Sequence, residues 1–400
     1  MFDIGDEEIA AIADTIHRKI LTRFQGGKEG YLARSERALA EKFGAKHCLM
    51  MNSGTSALNS ALVALGIGPG DEVLVSAYTW IATPLAAMLL GALPKLVEIN
   101  ETLTMDPVDL EKKISSRTKA ILCVHMANLP CDMDAIMRVA DAHGIPVVED
   151  CCQAVGGLYK GKRLGTFGKI GCLSFNNATN ITSAEGGAIL TDDFELYDRC
   201  RLWHDCGTFV QEYDAPVKVP HFAGHDFRAS EIQGAIIWAQ LPRLDPGLEG
   251  LRQKCHALRD FFEANRTDVK VMPHNDIPSQ ATFGIQFPTV EAYQEMNKRH
   301  PEIKSVLETA DRHVFTNWVP LVEKRTYRDD INPFRNSPYG NEYHYDASAA
   351  PRTLDILART CTFYIIYRCI LYLSTSNIEV STTTHSFHDN LNINFINGSR

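Results

Sequence analysis

The sequence has little of what marks nucleic-acid-binding, membrane or secreted proteins. Its 40 Lys and Arg are outnumbered by 49 Asp and Glu, and the net charge of -9 excludes a broad basic surface for phosphate backbones. The longest apolar stretch, residues 361–373, is shorter than the roughly 20 residues of a membrane-spanning helix and contains Arg368. The first eight residues are acidic where a targeting peptide would be basic. We therefore expect a cytoplasmic protein with no nucleic-acid or membrane partner.

The 11 cysteines do not form a disulfide or metal-binding pattern. Their number is odd, and the chain is long enough to fold without covalent cross-links. Cys123 and Cys172 stand inside apolar runs, and the adjacent pair Cys151-Cys152 has neither the spacing of a redox pair nor that of a zinc site. We expect reduced cysteines that pack as small apolar side chains, and no metal.

Helical periodicity alternates with short apolar runs, which is typical of a mostly parallel sheet covered by helices. Helices are predicted at 7–21, 31–43, 56–65, 132–143, 228–241 and 250–265, and strands at 72–75, 119–125, 146–149, 170–175, 187–190 and 282–287. We place a domain boundary near Pro246. The expected organisation is a large α/β domain over 1–245, a smaller α+β domain over 246–360, and a divergent, poorly ordered polar tail over 361–400.

The first candidate binding segment is Ser53-Gly54-Thr55, at the start of a predicted helix. Free backbone N–H groups and the helix dipole attract an anion at such a position. Simple N-capping by Ser53 or Thr55 is the alternative interpretation.

The second segment places Asp150 after a predicted buried strand. Ligands of parallel sheets bind at the carboxyl ends of strands, where an aspartate can pair with a protonated ring nitrogen. Asp150 can equally cap a following helix.

The third segment runs from a strand ending near Ser174 through a hydroxyl-rich turn to Glu185-Gly186-Gly187. Ser174 can bind phosphate, and the glycines allow a close approach of the backbone. A plain Gly/Asn turn is the alternative.

In this order and spacing, the three segments resemble the DegT/StrS family of fold type I (aspartate aminotransferase-like) enzymes. Further segments that resemble the family are 78–83, 165–168, 227–233, 313–318 and 351–357. The resemblance covers about residues 5–360. It implies a homodimer with shared active sites, a pyridoxal or pyridoxamine phosphate cofactor, and a keto-sugar or similar biosynthetic intermediate as substrate, with a separate amino donor.

The resemblance also assigns roles to individual residues. It implies that Gly54, Thr55 and Ser174 hold the cofactor phosphate, that Trp80 stacks on the pyridine ring, that Asp150 pairs with the ring nitrogen, and that Gln153 lies near the ring hydroxyl. Asp226 occupies a position where relatives commonly carry an asparagine that reaches the phosphate of the partner subunit. A carboxylate there is unfavourable for phosphate unless it is protonated or turned away.

One position departs from the family in a way that affects the chemistry. Thr179, five residues after Ser174, stands where the family has its Schiff-base lysine, and no lysine occurs between Lys169 and Lys218. A threonine hydroxyl neither forms an imine nor acts as a base at neutral pH. We therefore expect non-covalent cofactor binding. His125, after a parallel strand, is a candidate substitute base, with a packed structural histidine as the alternative.

Three functional hypotheses follow from the resemblance and from Thr179. The first is an aminotransferase that acts on a keto-sugar or similar intermediate. The second is a lysine-independent dehydratase that uses pyridoxamine phosphate. The third is a catalytically inactive homologue that serves as a binding or regulatory subunit.

Overall fold

The computed structural model describes residues 4–207 and 216–363, together with the backbone of residues 369–373 and 378–382. The strands are β1 His47–Met51, β2 Glu72–Ser76, β3 Leu93–Val97, β4 Thr118–Val124, β5 Val147–Asp150, β6 Leu158–Tyr159, β7 Lys162–Arg163, β8 Ile170–Ser174, β9 Gly187–Thr191, β10 Lys270–Val271, β11 Phe283–Gln286, β12 Thr360–Phe363, β13 Cys369–Leu373 and β14 Ile378–Thr382. The α-helices are α1 Asp6–His17, α2 Arg23–Gly26, α3 Tyr31–Phe43, α4 Gly54–Ala64, α5 Ala82–Met88, α6 Pro107–Lys113, α7 Met133–His143, α8 Phe194–His204, α9 Glu231–Gln240, α10 Leu244–Asn265, α11 Val290–Arg299, α12 Val306–Thr309, α13 Val319–Val322, α14 Pro333–Asn336 and α15 Pro351–Ala358.

A seven-stranded sheet forms the centre of the fold, with the strand order β1-β9-β8-β5-β4-β2-β3. Strands β8, β5, β4, β2 and β3 are mutually parallel, and β9 runs antiparallel to both of its neighbours. This mostly parallel sheet, flanked by helices, confirms the predicted fold class. The five strands predicted between 72 and 190 are confirmed as β2, β4, β5, β8 and β9.

Alternate residues of the parallel strands enter two different hydrophobic cores. In β2, Val73 and Val75 pack on one face of the sheet, and Leu74 packs on the other. Both faces are covered, so these strands are apolar along their whole length, as expected for a buried parallel sheet. Because both faces are buried, the sheet exposes its strand ends to a ligand rather than its faces.

The predicted domain boundary at Pro246 lies in the first turn of the 22-residue helix α10. Proline is tolerated there because the first-turn N–H groups have no intrahelical acceptor. A three-stranded sheet, β10-β11-β12, and a separate small core that contains Phe262 and Phe283 follow this helix. Later residues such as Trp318 and Ile356 instead join the core of the large sheet. Residues of the predicted 246–360 segment therefore belong to two hydrophobic cores, the separate small core and the core of the large sheet.

Most of the predicted tail, 361–400, lies outside the described residues. Residues 361–363 belong to β12, which pairs antiparallel with β11, and the backbones of β13 and β14 pair antiparallel with each other. Among the helices of the described residues, none combines the length and the apolar character needed to cross a membrane. The ten described cysteines are free.

Candidate active site

The carboxyl ends of three neighbouring strands bring the predicted site residues to one edge of the sheet. His125 follows β4, Asp150 ends β5, and Ser174 ends β8. Helix α4 begins at the same edge. Its first residue, Gly54, lies so near that an added Cβ would be 2.8 Å from both Ser174 Cβ and Cys152 Sγ. The structure thus places Gly54, Asp150 and Ser174 together, at the edge where parallel sheets bind ligands.

Glycine 187 explains how the helix start approaches the sheet so closely. A Cβ at Gly187 in β9 would lie only 2.3 Å from the carbonyl oxygen of Ser53. Any larger residue would push the N-terminus of α4 away from the sheet. Gly187 therefore allows the N-terminus of α4 to lie directly against β9.

Ser53 caps helix α4, and its neighbours remain available for an anion. The Ser53 side chain accepts the N–H of Ser56 at 3.0 Å. The N–H groups of Gly54 and Thr55 belong to the first turn and have no intrahelical acceptor. Thr55 is exposed, and the Ser174 hydroxyl oxygen accepts the N–H of Asn176 at 3.2 Å. Ser53 therefore provides the cap, and the N–H groups of Gly54 and Thr55 take no part in it.

Asp150 is a buried carboxylate held by two donors. Its Oδ2 accepts the hydroxyl of Thr83 at 2.8 Å, and its Oδ1 accepts the N–H of Cys152 at 3.0 Å. The next α-helix, α8, begins only at Phe194, so Asp150 caps no helix. The arrangement leaves acceptor capacity on each oxygen for a further donor.

Trp80 stands between β2 and α5 and is partly exposed. The imidazole of His313 lies 5.0 Å from its ring, and the guanidinium of Arg312 lies 4.7 Å from the ring centroid. Burial lowers the pKa of His313. The Arg312 contact was missed because nothing in the sequence links this residue to Trp80.

Gln153, three residues after Asp150, is also partly buried, and its backbone carbonyl accepts the N–H of Asn128 at 3.0 Å.

His125 is fully buried, and both ring nitrogens are engaged. Nε2 lies 3.1 Å from Glu149 Oε2, and Nδ1 accepts the N–H of Cys131 at 3.1 Å. With no exposed surface, this imidazole does not reach a substrate, which favours the packed-histidine interpretation over the substitute base.

Sequence reasoning missed Glu149, which organises the region behind the site. Its Oε1 accepts the N–H groups of Phe167 and Gly168 at 2.6 and 2.7 Å, and its Oε2 accepts that of Gly165 at 2.8 Å. Glu149, His125 and Cys151 form a buried set of side chains of the kind that can hold a metal ion. Because four donors already occupy the carboxylate oxygens, the cluster is complete as a hydrogen-bond network.

Thr179 points its hydroxyl into its own loop. The Oγ1 atom lies 2.7 Å from the carbonyl oxygen of Asn176 and 2.6 Å from that of Ile181. The next residue, Asn180, exchanges amide hydrogen bonds of 2.7 and 3.2 Å with Asn128, whose φ of 62° is left-handed. Asparagine is among the residues that tolerate this conformation. A neutral amide pair therefore holds the loop in which the resemblance places a lysine.

Asp226 is exposed and paired with a cation. Its Oδ2 accepts from Arg228 at 2.6 Å, and the same guanidinium binds the buried Asp205 at 2.6 Å. The negative charge of Asp226 is thus partly neutralised within the chain.

Residues 3–350 match the family described as DegT/DnrJ/EryC1/StrS aminotransferase. The chain belongs to this family. GDP-perosamine synthase of Escherichia coli O157:H7 is 39% identical over 240 residues, which are 60% of this chain and 64% of that protein. GDP-perosamine synthase of Caulobacter vibrioides is 41% identical over 220 residues, which are 54% and 58% of the two chains. These matches span less than two thirds of either relative.

Two solved structures illustrate the shared fold. 3-Amino-5-hydroxybenzoic acid synthase is 28% identical with a TM-score of 0.72, and the match covers 91% of this chain and 92% of that one. E. coli GDP-4-keto-6-deoxy-D-mannose-3-dehydratase with bound hydrated pyridoxal phosphate is 24% identical with a TM-score of 0.69, covering 90% and 93%. At that identity the second likeness concerns the fold alone. The predicted resemblance to the family is confirmed.

The residues at the sheet edge fit the non-covalent part of a pyridoxal phosphate site. Gly54 packs so closely against Ser174 and Cys152 that no Cβ fits there, and the buried carboxylate of Asp150 stands on the strand next to that of Ser174. Thr179 offers a hydroxyl and no amine. The residues present therefore fit the phosphate and the ring of the family's cofactor.

We expect Gly54→Ala to weaken the binding of pyridoxal phosphate at least about tenfold and to destabilise the fold by about 1–3 kcal/mol, because the added methyl group overlaps Ser174 and Cys152. Fluorescence titration and urea unfolding measure the two effects. Gly250→Ala is the matched control, since its Cβ meets nothing within 4 Å. An unchanged affinity for Gly54→Ala would contradict the placement of the phosphate.

Proposed function

We propose that the protein binds pyridoxal or pyridoxamine phosphate without a covalent bond and acts as an aminotransferase-like protein on a nucleotide-linked keto-sugar. The observation that carries the proposal is the convergence of the α4 N-terminus, Asp150 and Ser174 at one edge of the sheet. An anion site and a buried carboxylate on adjacent elements match a phosphorylated pyridine at its two ends.

Each site residue has a binding or orienting task in this proposal. The N–H groups of Gly54 and Thr55 and the hydroxyl of Ser174 bind the phosphate, since a helix N-terminus favours an anion. Asp150 holds the proton on the ring nitrogen. Trp80 covers one ring face and Gln153 meets the ring hydroxyl. The bound cofactor supplies an electron sink for chemistry at an amine carbon.

The substrate class comes from the relatives. Two GDP-perosamine synthases match more than half of the chain, which supports a GDP-linked keto-sugar as substrate together with a separate amino donor. We also propose a homodimer in which Asp226 approaches the partner's phosphate, its charge paired with Arg228. The free cysteines support a cytoplasmic location.

Thr179 favours a second candidate function. A hydroxyl directed at two carbonyl oxygens provides no base for proton transfer at the substrate, and loss of such a base costs about 10²- to 10⁴-fold in rate. A lysine-independent dehydratase that uses pyridoxamine phosphate, or an inactive subunit that only binds, accommodates this residue. Both candidates keep the same cofactor site.

A spectroscopic experiment tests the proposal. The purified protein is mixed with pyridoxal phosphate, treated with borohydride or left untreated, dialysed and weighed by mass spectrometry. We expect a bound cofactor spectrum that disappears on dialysis, and no covalent adduct after borohydride. An adduct on any lysine, or no binding at all, would refute the proposal.

The reaction is then assayed with GDP-4-keto-6-deoxymannose and pyridoxamine phosphate. An amino sugar product supports aminotransferase chemistry, and a deoxygenated keto-sugar supports the dehydratase. If cofactor binds and no product forms, the chain is a binding subunit.

A further inference from the structure

We propose that Thr83 and Thr79 form a buried hydroxyl relay that fixes the orientation of Asp150, so that Thr83 is a positioning residue for the cofactor ring. The inference rests on the proposed function, because Asp150 is the group that meets the ring nitrogen. The relay itself is a property of the protein without cofactor.

The direction of the relay follows from the chemistry of its members. Thr83 Oγ1 lies 2.8 Å from Asp150 Oδ2, and Thr79 Oγ1 lies 2.8 Å from Thr83 Oγ1. Both threonines are fully buried. A hydroxyl has one proton, and an ionised carboxylate only accepts. Thr83 therefore donates to Asp150, and Thr79 donates to Thr83. Hydrogen bonds in such a chain strengthen one another.

Asp150 depends on this relay because it has few other protein donors. The carboxylate is 4% exposed, and its other oxygen accepts the Cys152 N–H at 3.0 Å. A buried charge is costly unless hydrogen bonds replace its lost water. Without the Thr83 hydroxyl, Oδ2 loses its side-chain donor, and the carboxylate loses the contact that fixes its orientation.

The relay also links the two ring contacts of the proposed site. Thr79 and Thr83 flank Trp80, and the Thr83 N–H donates to the Trp80 carbonyl at 3.0 Å. The loop that carries Trp80 is thereby tied to the residue beneath the ring nitrogen. A change at Thr83 is transmitted to Asp150 through its hydroxyl, while the backbone contact to Trp80 remains.

Three variants test the relay. Thr83→Val removes the hydroxyl at nearly constant volume, Thr83→Ser restores it, and Thr79→Val removes only the outer member. For Thr83→Val we expect pyridoxal phosphate binding to weaken about 10- to 100-fold, as for a hydrogen bond to a charged group. The ring nitrogen of the bound cofactor should also lose its proton at lower pH, as followed by absorbance. Thr83→Ser should bind the cofactor like the wild type. The affinity of Thr79→Val should lie between those of the wild type and Thr83→Val.

A readout without cofactor separates this inference from the proposed function. Carboxyl ¹³C NMR of the cofactor-free protein reports on the hydrogen bonds of the Asp150 carboxylate. We expect Thr83→Val to shift the Asp150 carboxyl resonance and Thr83→Ser to leave it in place. If the wild type binds no pyridoxal phosphate, the proposed function fails while this resonance still reports on the relay. An unchanged Asp150 resonance in Thr83→Val, with the fold intact by circular dichroism, would overturn the relay.

Discussion

Thr179→Lys is expected to change dialysable pyridoxal phosphate into a cofactor that borohydride fixes to the protein in about 1:1 stoichiometry. Thr179 follows Ser174 by five residues, at the position where the resemblance places the family's Schiff-base lysine. In the structure its hydroxyl lies within 2.7 Å of two backbone carbonyls, so the native residue contributes hydrogen bonds to the loop and no nucleophile. A primary amine there supplies both the covalent partner and a base. Mass spectrometry after borohydride and proteolysis measures attachment and identifies the residue.

Thr179→Met is the matched control for this variant. It has a similarly long unbranched side chain and loses the same hydroxyl contacts to Asn176 and Ile181. Loss of loop structure would therefore affect both variants alike, while only the lysine variant gains an amine. If Thr179→Lys stays folded, binds the cofactor and releases all of it on dialysis after borohydride, the loop does not face the ring and our placement of position 179 is wrong.

The sequence predicted most of the large sheet, and the two strands it missed have physical reasons. Strand β3 contains Pro94, which normally argues against a strand. It is tolerated because β3 lies at the edge of the sheet and pairs only with β2. Strand β1 reads His-Cys-Leu-Met-Met and has no β-branched residue, so local propensity gave no signal. In both cases tertiary pairing decided the structure.

The sequence predicted which site residues lie together only where the order of the strands determines their position in space. Parallel strands end at one edge, which brings Asp150 near Ser174. The contacts between distant segments had no such signal. Thr83 and Asp150 are 67 positions apart, and Asn128 and Asn180 are 52 apart. Their side chains meet only after the sheet has formed, because no local pattern encodes which strand ends face each other.

Glu149→Gln is expected to destabilise the protein by about 3–5 kcal/mol, although the side chain keeps its shape. Each carboxylate oxygen of Glu149 accepts two donors, among them the N–H groups of Gly165, Phe167 and Gly168. An amide replaces one of these acceptors with an NH₂ donor. In either orientation at least one buried backbone N–H then faces a donor, and each buried polar group left unsatisfied costs about 1–3 kcal/mol, more where a charge is involved. Denaturant unfolding, monitored by fluorescence, measures the change.

Glu111→Gln is the control for Glu149→Gln, because Glu111 is an exposed residue of helix α6, where the same substitution should change stability by less than about 0.5 kcal/mol. The cofactor provides a second comparison. Glu149 immediately precedes Asp150, and its acceptor oxygens hold the turn that leads into β8 and Ser174. Its loss should therefore weaken cofactor binding at temperatures where the variant is still folded. If the free energy of unfolding of Glu149→Gln lies within about 1 kcal/mol of the wild-type value, these backbone N–H groups find other acceptors. The turn then does not depend on the carboxylate.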